Sequence, residues 1–131
     1  MEKLFIERTE CSPEVLLDSD NNVFQIIGES RPENVRKFYE PVFSWFQLFY
    51  DTEYVLNNDK EIKLKISLEY FNSTSAKVLF DLFNYFKQQQ LSYPIVISIV
   101  WEYDKEDVDM LEAGKEMEEL SQIKFEYLIS E

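Results

Sequence analysis

The stretch "LEYFNSTSAKVLFDLF", residues 68–83, decides the fold because its apolar pattern changes period in the middle. Residues 61–70, "EIKLKISLEY", alternate apolar and polar side chains, which is typical of a strand with one buried face. After three consecutive hydroxyl residues the apolar side chains recur at helical spacing, at Leu79, Leu82, Phe83 and Phe86. The stretch therefore predicts a strand that leads directly into an amphipathic helix.

The residues upstream predict three strands and a helix. "KLFIER", residues 3–8, reads as a short strand, and "EVLLDSDNNVFQIIG", residues 14–28, as two strands joined by a turn that tolerates positive φ. From Pro32 onward the apolar residues follow helical spacing, with Ser30 as a candidate N-cap. Pro41 lies inside that pattern, so we expect a kink or a break there.

The residues downstream complete an alternating order of strands and helices. "PIVISIVW", residues 94–101, is a β-branched run typical of a central strand covered on both faces. A helix is predicted over "DKEDVDMLEAGKEMEEL", residues 104–120, and a last strand over "IKFEYLI", residues 123–129. The order β-β-β-α-β-α-β-α-β indicates an α/β fold: a mixed sheet with an N-terminal antiparallel hairpin and helical crossovers between parallel strands.

Length, charge and composition limit the classes of function. A chain of 131 residues suits one domain over 1–131. Its formal charge of −13 disfavours nucleic acid and anionic membranes as partners, and no apolar run is long enough to span a bilayer. With the lone Cys11, this favours a cytoplasmic protein. The chain has no His, which excludes nucleophile systems built on that residue and removes the commonest metal ligand.

The hydroxyl run Ser73, Thr74 and Ser75 lies where a strand is predicted to end and a helix to begin. Free backbone N–H groups and the helix dipole favour an anion there, and Lys77, four residues after Ser73, could approach a phosphate on it. The alternative is that one hydroxyl only caps the helix. Because no general base stands in the run, a modified hydroxyl would be an acceptor of phosphate rather than a hydrolytic nucleophile.

Three segments in this order resemble the SiaC family of bacterial regulatory phosphoproteins over essentially the whole chain. They are "GESRPENVRKFYEPVFSWF" from Gly28, "LEYFNSTSAKVLFDLF" from Leu68 and "WEYDKEDVDMLEAGKEMEEL" from Trp101. The resemblance implies a non-enzymatic phosphoprotein without a cofactor of its own, similar in layout and logic to the anti-sigma factor antagonists of the STAS type.

The same resemblance implies the partners of the protein. A kinase of the GHKL ATP-binding type would phosphorylate it, and a metal-dependent, PP2C-like phosphatase would remove the phosphate. The unphosphorylated form would bind an effector, a diguanylate cyclase in the family's characterised circuit, and promote cyclic-di-GMP synthesis, whereas phosphorylation would release it.

The resemblance also implies the site residues. The family pattern usually reads Tyr-Phe-Asn-Thr-Ser-Ser with the Thr modified, and that position matches Ser73 here, with Thr74 second and Ser75 third as alternatives. Asn72 and Lys77 are expected to meet the partner. The remaining candidate contacts are Tyr70 and Phe71, which could instead pack the strand end, and Trp45, which could instead lie in the core.

Two other functions stay open on the sequence alone. Asp104, Glu106, Asp107 and Asp109 could bind a divalent cation and serve a metal-dependent enzyme, although acidic residues at a helix start also suit the dipole. A constitutive binding module without a phospho-switch is the other alternative. It requires that the hydroxyls only cap a helix.

Overall fold

The fold is seen in a computed structural model, which describes residues 1–53 and 61–131. The strands are β1 Leu4–Ile6, β2 Glu14–Asp18, β3 Val23–Ser30, β4 Glu61–Phe71, β5 Val96–Tyr103 and β6 Phe125–Ile129. The helices are α1 Val35–Glu53, α2 Ser73–Gln89 and α3 Val108–Ser121. This confirms the predicted order of elements, and Asn22 in the β2–β3 turn has the predicted positive φ, at 57°.

The six strands form one mixed sheet in the order β1-β2-β3-β4-β5-β6. The pairs β1–β2 and β2–β3 are antiparallel, and the three following pairs are parallel. Each parallel pair is joined by one helix, and the strand order always advances in the same direction. Right-handed crossovers therefore place all three helices on one face of the sheet, and the predicted fold class is confirmed.

Along β4 the other face of the sheet is polar and carries ion pairs, whereas the neighbouring strands add apolar side chains such as Val96 and Leu128 to that face. Along β4, Ile62, Leu64, Ile66 and Leu68 are buried. On the opposite side Lys63 Nζ lies 3.0 Å from Glu126 Oε1, and Lys65 Nζ lies 3.1 Å from Glu102 Oε2. The alternation predicted for this strand is confirmed, because a helix layer covers only one face.

The prediction that residues 94–101 are covered on both faces holds only in part. Ile97, Ile99 and Trp101 of β5 are buried on the helix side. On the other face Ser98 is buried and Val100 half-buried, but Val96 is 46% exposed. The continuous β-branched run reflects the preference of such side chains for strand geometry, which does not require burial on both sides.

The start of α1 also differs from the prediction. The N-cap is Asn34, whose side-chain oxygen accepts a hydrogen bond from Lys37 N at 3.1 Å. Ser30 ends β3 instead, paired with Phe71. The helix continues through Pro41 without a break, because this proline lies on the exposed side, where water can satisfy the carbonyl that loses its N–H partner. The predicted kink stays a prediction.

Trp45 lies in the core, which is the second of the two placements that the sequence left open for it. Its ring is 7% exposed and stacks on Phe49 with centroids 5.3 Å apart. Its Nε1 donates to the Glu2 carbonyl oxygen at 2.9 Å, so the N-terminal segment covers this side of the helix. Leu48, one turn farther along α1, is 57% exposed.

A β-bulge in β4 sets the register beside the hydroxyl run, because Glu69 is an extra residue on that strand. Gly28 pairs with Leu68, but Glu29 pairs with Tyr70 and Ser30 with Phe71. Gly28 has φ +134°, a value that L side chains rarely adopt, and the Arg8 side chain packs where its Cβ would be. The bulge thereby brings Ser30 to the start of α2.

None of the helices in the described ranges has the length and apolar character needed to cross a membrane.

Candidate functional site

The hydroxyl run forms the first turn of α2, and none of its members caps the helix. Asn72 is the N-cap: its Oδ1 accepts a hydrogen bond from Ser75 N at 2.8 Å. The alternative in which a hydroxyl of the run serves as the cap is therefore wrong. The sequence does contain a signal for this cap, because Asn is as good an N-cap as Ser and Asn72 directly precedes the run.

Ser75 has a structural role in the interior. Its side chain is fully buried, and its Oγ donates to the Ser30 carbonyl oxygen at 2.8 Å. Ser30 Oγ in turn donates to Ser75 Oγ at 2.8 Å and lies 2.6 Å from Tyr39 OH. Burial, partly offset by the hydrogen bond with Ser30, raises the pKa of Tyr39 to about 12. The network joins β3, α1 and α2, and no sequence pattern pointed to it.

Ser73 and Thr74, by contrast, are exposed. Within residues 1–53 and 61–131 their hydroxyls make no hydrogen bond. They lie at the N-terminus of α2, where the positive end of the helix dipole and the free backbone N–H groups of the first turn favour an anion. The structure thus separates two accessible hydroxyls from a third that holds the fold together.

Basic side chains from three segments lie near α2, at different distances from its start. Lys77 Nζ and Arg36 NH1 each lie 3.7 Å from a different carboxylate oxygen of Asp81. Asn72 N donates to the Ser30 carbonyl oxygen, which places the next residue, Arg31, at the same edge of the sheet. The sequence predicted Lys77 alone, since Arg31 follows β3 and Arg36 belongs to α1, and only the fold brings these segments next to α2.

The other predicted contact residues divide between this site and the core. Tyr70 is 49% exposed at the end of β4. Phe71 is half-buried and packs edge-to-face on Trp101, with centroids 6.1 Å apart, so it packs the strand end. Asn72 is half-buried as the cap of α2. These three and Lys77 lie together, whereas Trp45 is buried in α1, where it leaves little surface for a partner.

The acidic residues before α3 have structural roles. Asp107 is the N-cap of α3 and accepts from Met110 N at 3.1 Å, and Asp104 accepts from Glu106 N at 2.8 Å. In the part of the chain that the structure describes, no group of three or more carboxylate or Cys side chains is arranged to hold a metal ion.

The chain was compared with known proteins. The sequence profile of SiaC family regulatory phosphoproteins matches residues 6–130. The crystal structure of apo-SiaC from Pseudomonas aeruginosa is 25% identical and superimposes with a TM-score of 0.81, over 98% of this chain and 99% of that chain. A second structure of P. aeruginosa SiaC is 24% identical, with a TM-score of 0.77 over 99% of this chain and 98% of that one.

A third structure is that of the P. aeruginosa diguanylate cyclase SiaD in complex with its activator SiaC. The matched chain is 23% identical, with a TM-score of 0.81, over 97% of this chain and 99% of that chain. No curated protein matches the chain. The profile match extends over nearly the whole sequence and includes the helix start with its two accessible hydroxyls. The chain belongs to the SiaC family of regulatory phosphoproteins.

Proposed function

We propose that the protein is a phosphorylation-controlled, partner-switching adaptor. Its unphosphorylated form binds and activates an effector, a diguanylate cyclase, and phosphorylation of Ser73 releases the effector. The observation that carries the proposal is the exposed Ser73 hydroxyl in the first turn of α2, without a hydrogen-bond partner in the described residues. The P. aeruginosa SiaC, an activator of the diguanylate cyclase SiaD, supports the choice of effector.

The three hydroxyls are not equally suited to modification. Ser75 is fully buried and hydrogen-bonded to Ser30, so a kinase would reach it only after the first turn of α2 opened. Ser73 and Thr74 are both accessible, and Ser73 is the residue that matches the modified position of the family pattern. Ser73 is therefore the proposed acceptor, with Thr74 as the second choice.

The chemistry of the switch belongs to other proteins. A GHKL-type kinase supplies ATP and Mg²⁺, and the Ser73 oxygen forms a bond to the γ-phosphorus of ATP as the bond to ADP breaks and the hydroxyl proton is lost. A PP2C-like phosphatase hydrolyses the phosphoserine with water. The kinase reaction consumes ATP, which is consistent with a cytoplasmic adaptor.

Release follows from charge at the contact surface. A phosphoserine carries about −1.5 to −2 charges at neutral pH. At the start of α2 this charge is favourable for the helix itself, because it meets the positive end of the dipole. The phosphate therefore does not unfold the adaptor; it changes the surface that an effector would cover, next to Tyr70, Asn72 and Lys77.

The experiment compares binding and activation of the cyclase that accompanies the protein in its own cells. Ser73→Ala is expected to bind and stimulate cyclic-di-GMP synthesis like the native protein, and Ser73→Asp is expected to do both weakly. Ser44→Asp, an exposed serine on α1, is the control for an added carboxylate elsewhere. Mass spectrometry of peptides that separate residues 73, 74 and 75 identifies the modified oxygen. Equal binding by Ser73→Ala and Ser73→Asp would favour a constitutive binding module.

A further inference from the structure

A groove between α2 and α3 begins beside the hydroxyl run. It has a volume of about 450 Å³. Its lining is mostly apolar and comes from Phe71, Ala76, Phe80, Ala113, Met117 and Leu120. Leu120 is 61% exposed although it is a large aliphatic residue. Exposed apolar surface of this kind, gathered in one concave place, is typical of a site that another protein covers.

The groove carries opposite charges on its two sides. Lys77 lines it from α2 and Glu116 lines it from α3. Past Phe71 and Ala113 it meets a smaller hollow of about 310 Å³, which Asp107 and Asp109 also line. Among the described residues that line the two hollows, Lys77 is the single cation. A complementary occupant would place a carboxylate at Lys77 and basic groups along α3.

Ser73 lies on the same side of α2 as this groove. It precedes Ala76 by three residues, Lys77 by four and Phe80 by seven, and residues at those spacings share one face of a helix. A phosphate on Ser73 would therefore stand at the end of the groove and compete for Lys77. Thr74 precedes the buried Val78 by four residues and Asp81 by seven, and neither of these lines the groove, so Thr74 lies farther from the groove than Ser73 although Lys77 is within one turn of both.

We infer that this groove is the surface that binds the effector, and that it takes an amphipathic segment of that protein. The segment has apolar side chains for the groove, a carboxylate facing Lys77 and basic residues facing Glu116 and Asp109. A second copy of this chain is disfavoured, because two molecules with a formal charge of −13 each would repel one another. This inference rests on the proposed function and names the binding surface and the chemistry of the partner.

The first test uses full-length protein and the full-length diguanylate cyclase recovered with it from its own cells. Leu120→Ser is expected to weaken binding about tenfold, as the loss of an apolar anchor in an interface does. The matched control is Leu48→Ser, because Leu48 is 57% exposed on the remote helix α1; it should bind within about twofold. Circular dichroism and thermal unfolding verify that both variants are folded.

The second test concerns charge. Lys77→Glu should weaken binding and imitate phosphorylation, and the loss should shrink as salt is raised. Lys115→Glu, an exposed residue of α3 outside the groove lining, makes the same change of charge as a control. Overlapping peptides that cover the cyclase should include one that binds, with apolar residues flanked by a carboxylate and a cation. Reversal of that carboxylate to Lys should restore binding to the Lys77→Glu variant.

The outcomes separate this inference from the proposal on which it rests. If Ser73→Asp releases the cyclase but Leu120→Ser and Leu48→Ser bind alike, the switch holds and the groove is not the interface. The inference is also overturned if Leu120→Ser abolishes self-association of the protein and leaves cyclase affinity unchanged. If the native protein binds no diguanylate cyclase, both the proposed effector and its docking surface are overturned.

Discussion

The Ser75 hydroxyl donates a hydrogen bond to the Ser30 carbonyl oxygen at 2.8 Å, forty-five residues earlier in the chain. The Ser30 hydroxyl donates back to Ser75 Oγ, also at 2.8 Å, and both side chains are fully buried. The first turn of α2 is thereby attached to the end of β3. The attachment holds the accessible Ser73 in a fixed place while a chemically similar serine two residues later is kept out of reach.

Loss of this attachment should cost stability. Ser75→Ala removes the donor to the Ser30 carbonyl and the acceptor of the Ser30 hydroxyl. We expect the free energy of unfolding to fall by about 1–3 kcal/mol, because buried polar groups lose a partner. Urea denaturation measures the change. Thr74→Ala, at an exposed position, should change it by less than about 0.5 kcal/mol; equal effects would contradict the role assigned to Ser75.

The cap of α2 can be tested separately. Asn72→Ala should lower the free energy of unfolding by about 1 kcal/mol, because Ser75 N loses the side-chain oxygen that accepts its hydrogen bond. Ser73→Ala should have almost no effect in the same urea titration. A loss with Ser73→Ala as large as that with Asn72→Ala would mean that a hydroxyl caps the helix after all.

A negative charge at Ser73 should stabilise the fold even though it is proposed to release the partner. Ser73→Asp places a carboxylate in the first turn of α2, and we expect a gain of about 0.3–1 kcal/mol at low salt. The gain should decrease at high ionic strength, since the site is exposed. Thermal unfolding at two salt concentrations measures both effects. A marked loss of stability would indicate that release occurs through unfolding of α2.

Gly114 in α3 has no room for a side chain. A Cβ there would lie 2.6 Å from Trp101 Nε1, and this indole is buried and donates to the Met110 carbonyl oxygen at 2.9 Å. Gly114→Ala should therefore destabilise the protein by about 1–3 kcal/mol, despite the higher helix propensity of Ala. Ala113→Gly, its neighbour, should cost about 1 kcal/mol through propensity alone. Guanidinium denaturation compares the two, and stabilisation by Gly114→Ala would contradict the close packing.

The buried tyrosines should make the fold sensitive to alkali. Burial raises the pKa of Tyr39 to about 12, and it raises the pKa of Tyr50 as well. Above about pH 10, the ordinary pKa of tyrosine, the unfolded chain loses protons that the folded chain keeps. Stability is therefore fully present below that pH and falls as pH rises toward 12.

A tyrosine variant tests this assignment. Tyr39→Phe should lose some stability at neutral pH, because the Ser30 hydroxyl loses a partner at 2.6 Å. Its further loss of stability above about pH 10 should be shallower than in the native protein. Urea denaturation at several alkaline pH values gives the two slopes, and parallel slopes would exclude Tyr39 as a source of the alkaline instability.

Much of the fold was predictable because local patterns decide local structure. The alternation in β4, the helical spacing in α2 and the turn residues before β3 each reflect which side chains must be buried, and the order of elements follows from them. The hydroxyl run and its position between strand and helix were likewise visible in the sequence. Composition and charge disfavoured nucleic acid and anionic membranes as partners, because net charge acts at long range whatever the fold.

Only the tertiary structure decided which hydroxyl is buried and which is accessible. Ser73 and Ser75 are alike in sequence, but the β4 bulge sets Ser30 against Phe71, and the first turn of α2 then points Ser75 at Ser30 and Ser73 at solvent. The tertiary structure also decided the burial of Trp45, because its Nε1 donates to the Glu2 carbonyl oxygen and the N-terminal segment covers the ring. The sequence by itself determined the elements and the chemical groups at the strand–helix junction. Their burial depended on contacts between residues far apart in the chain, which no local pattern encodes.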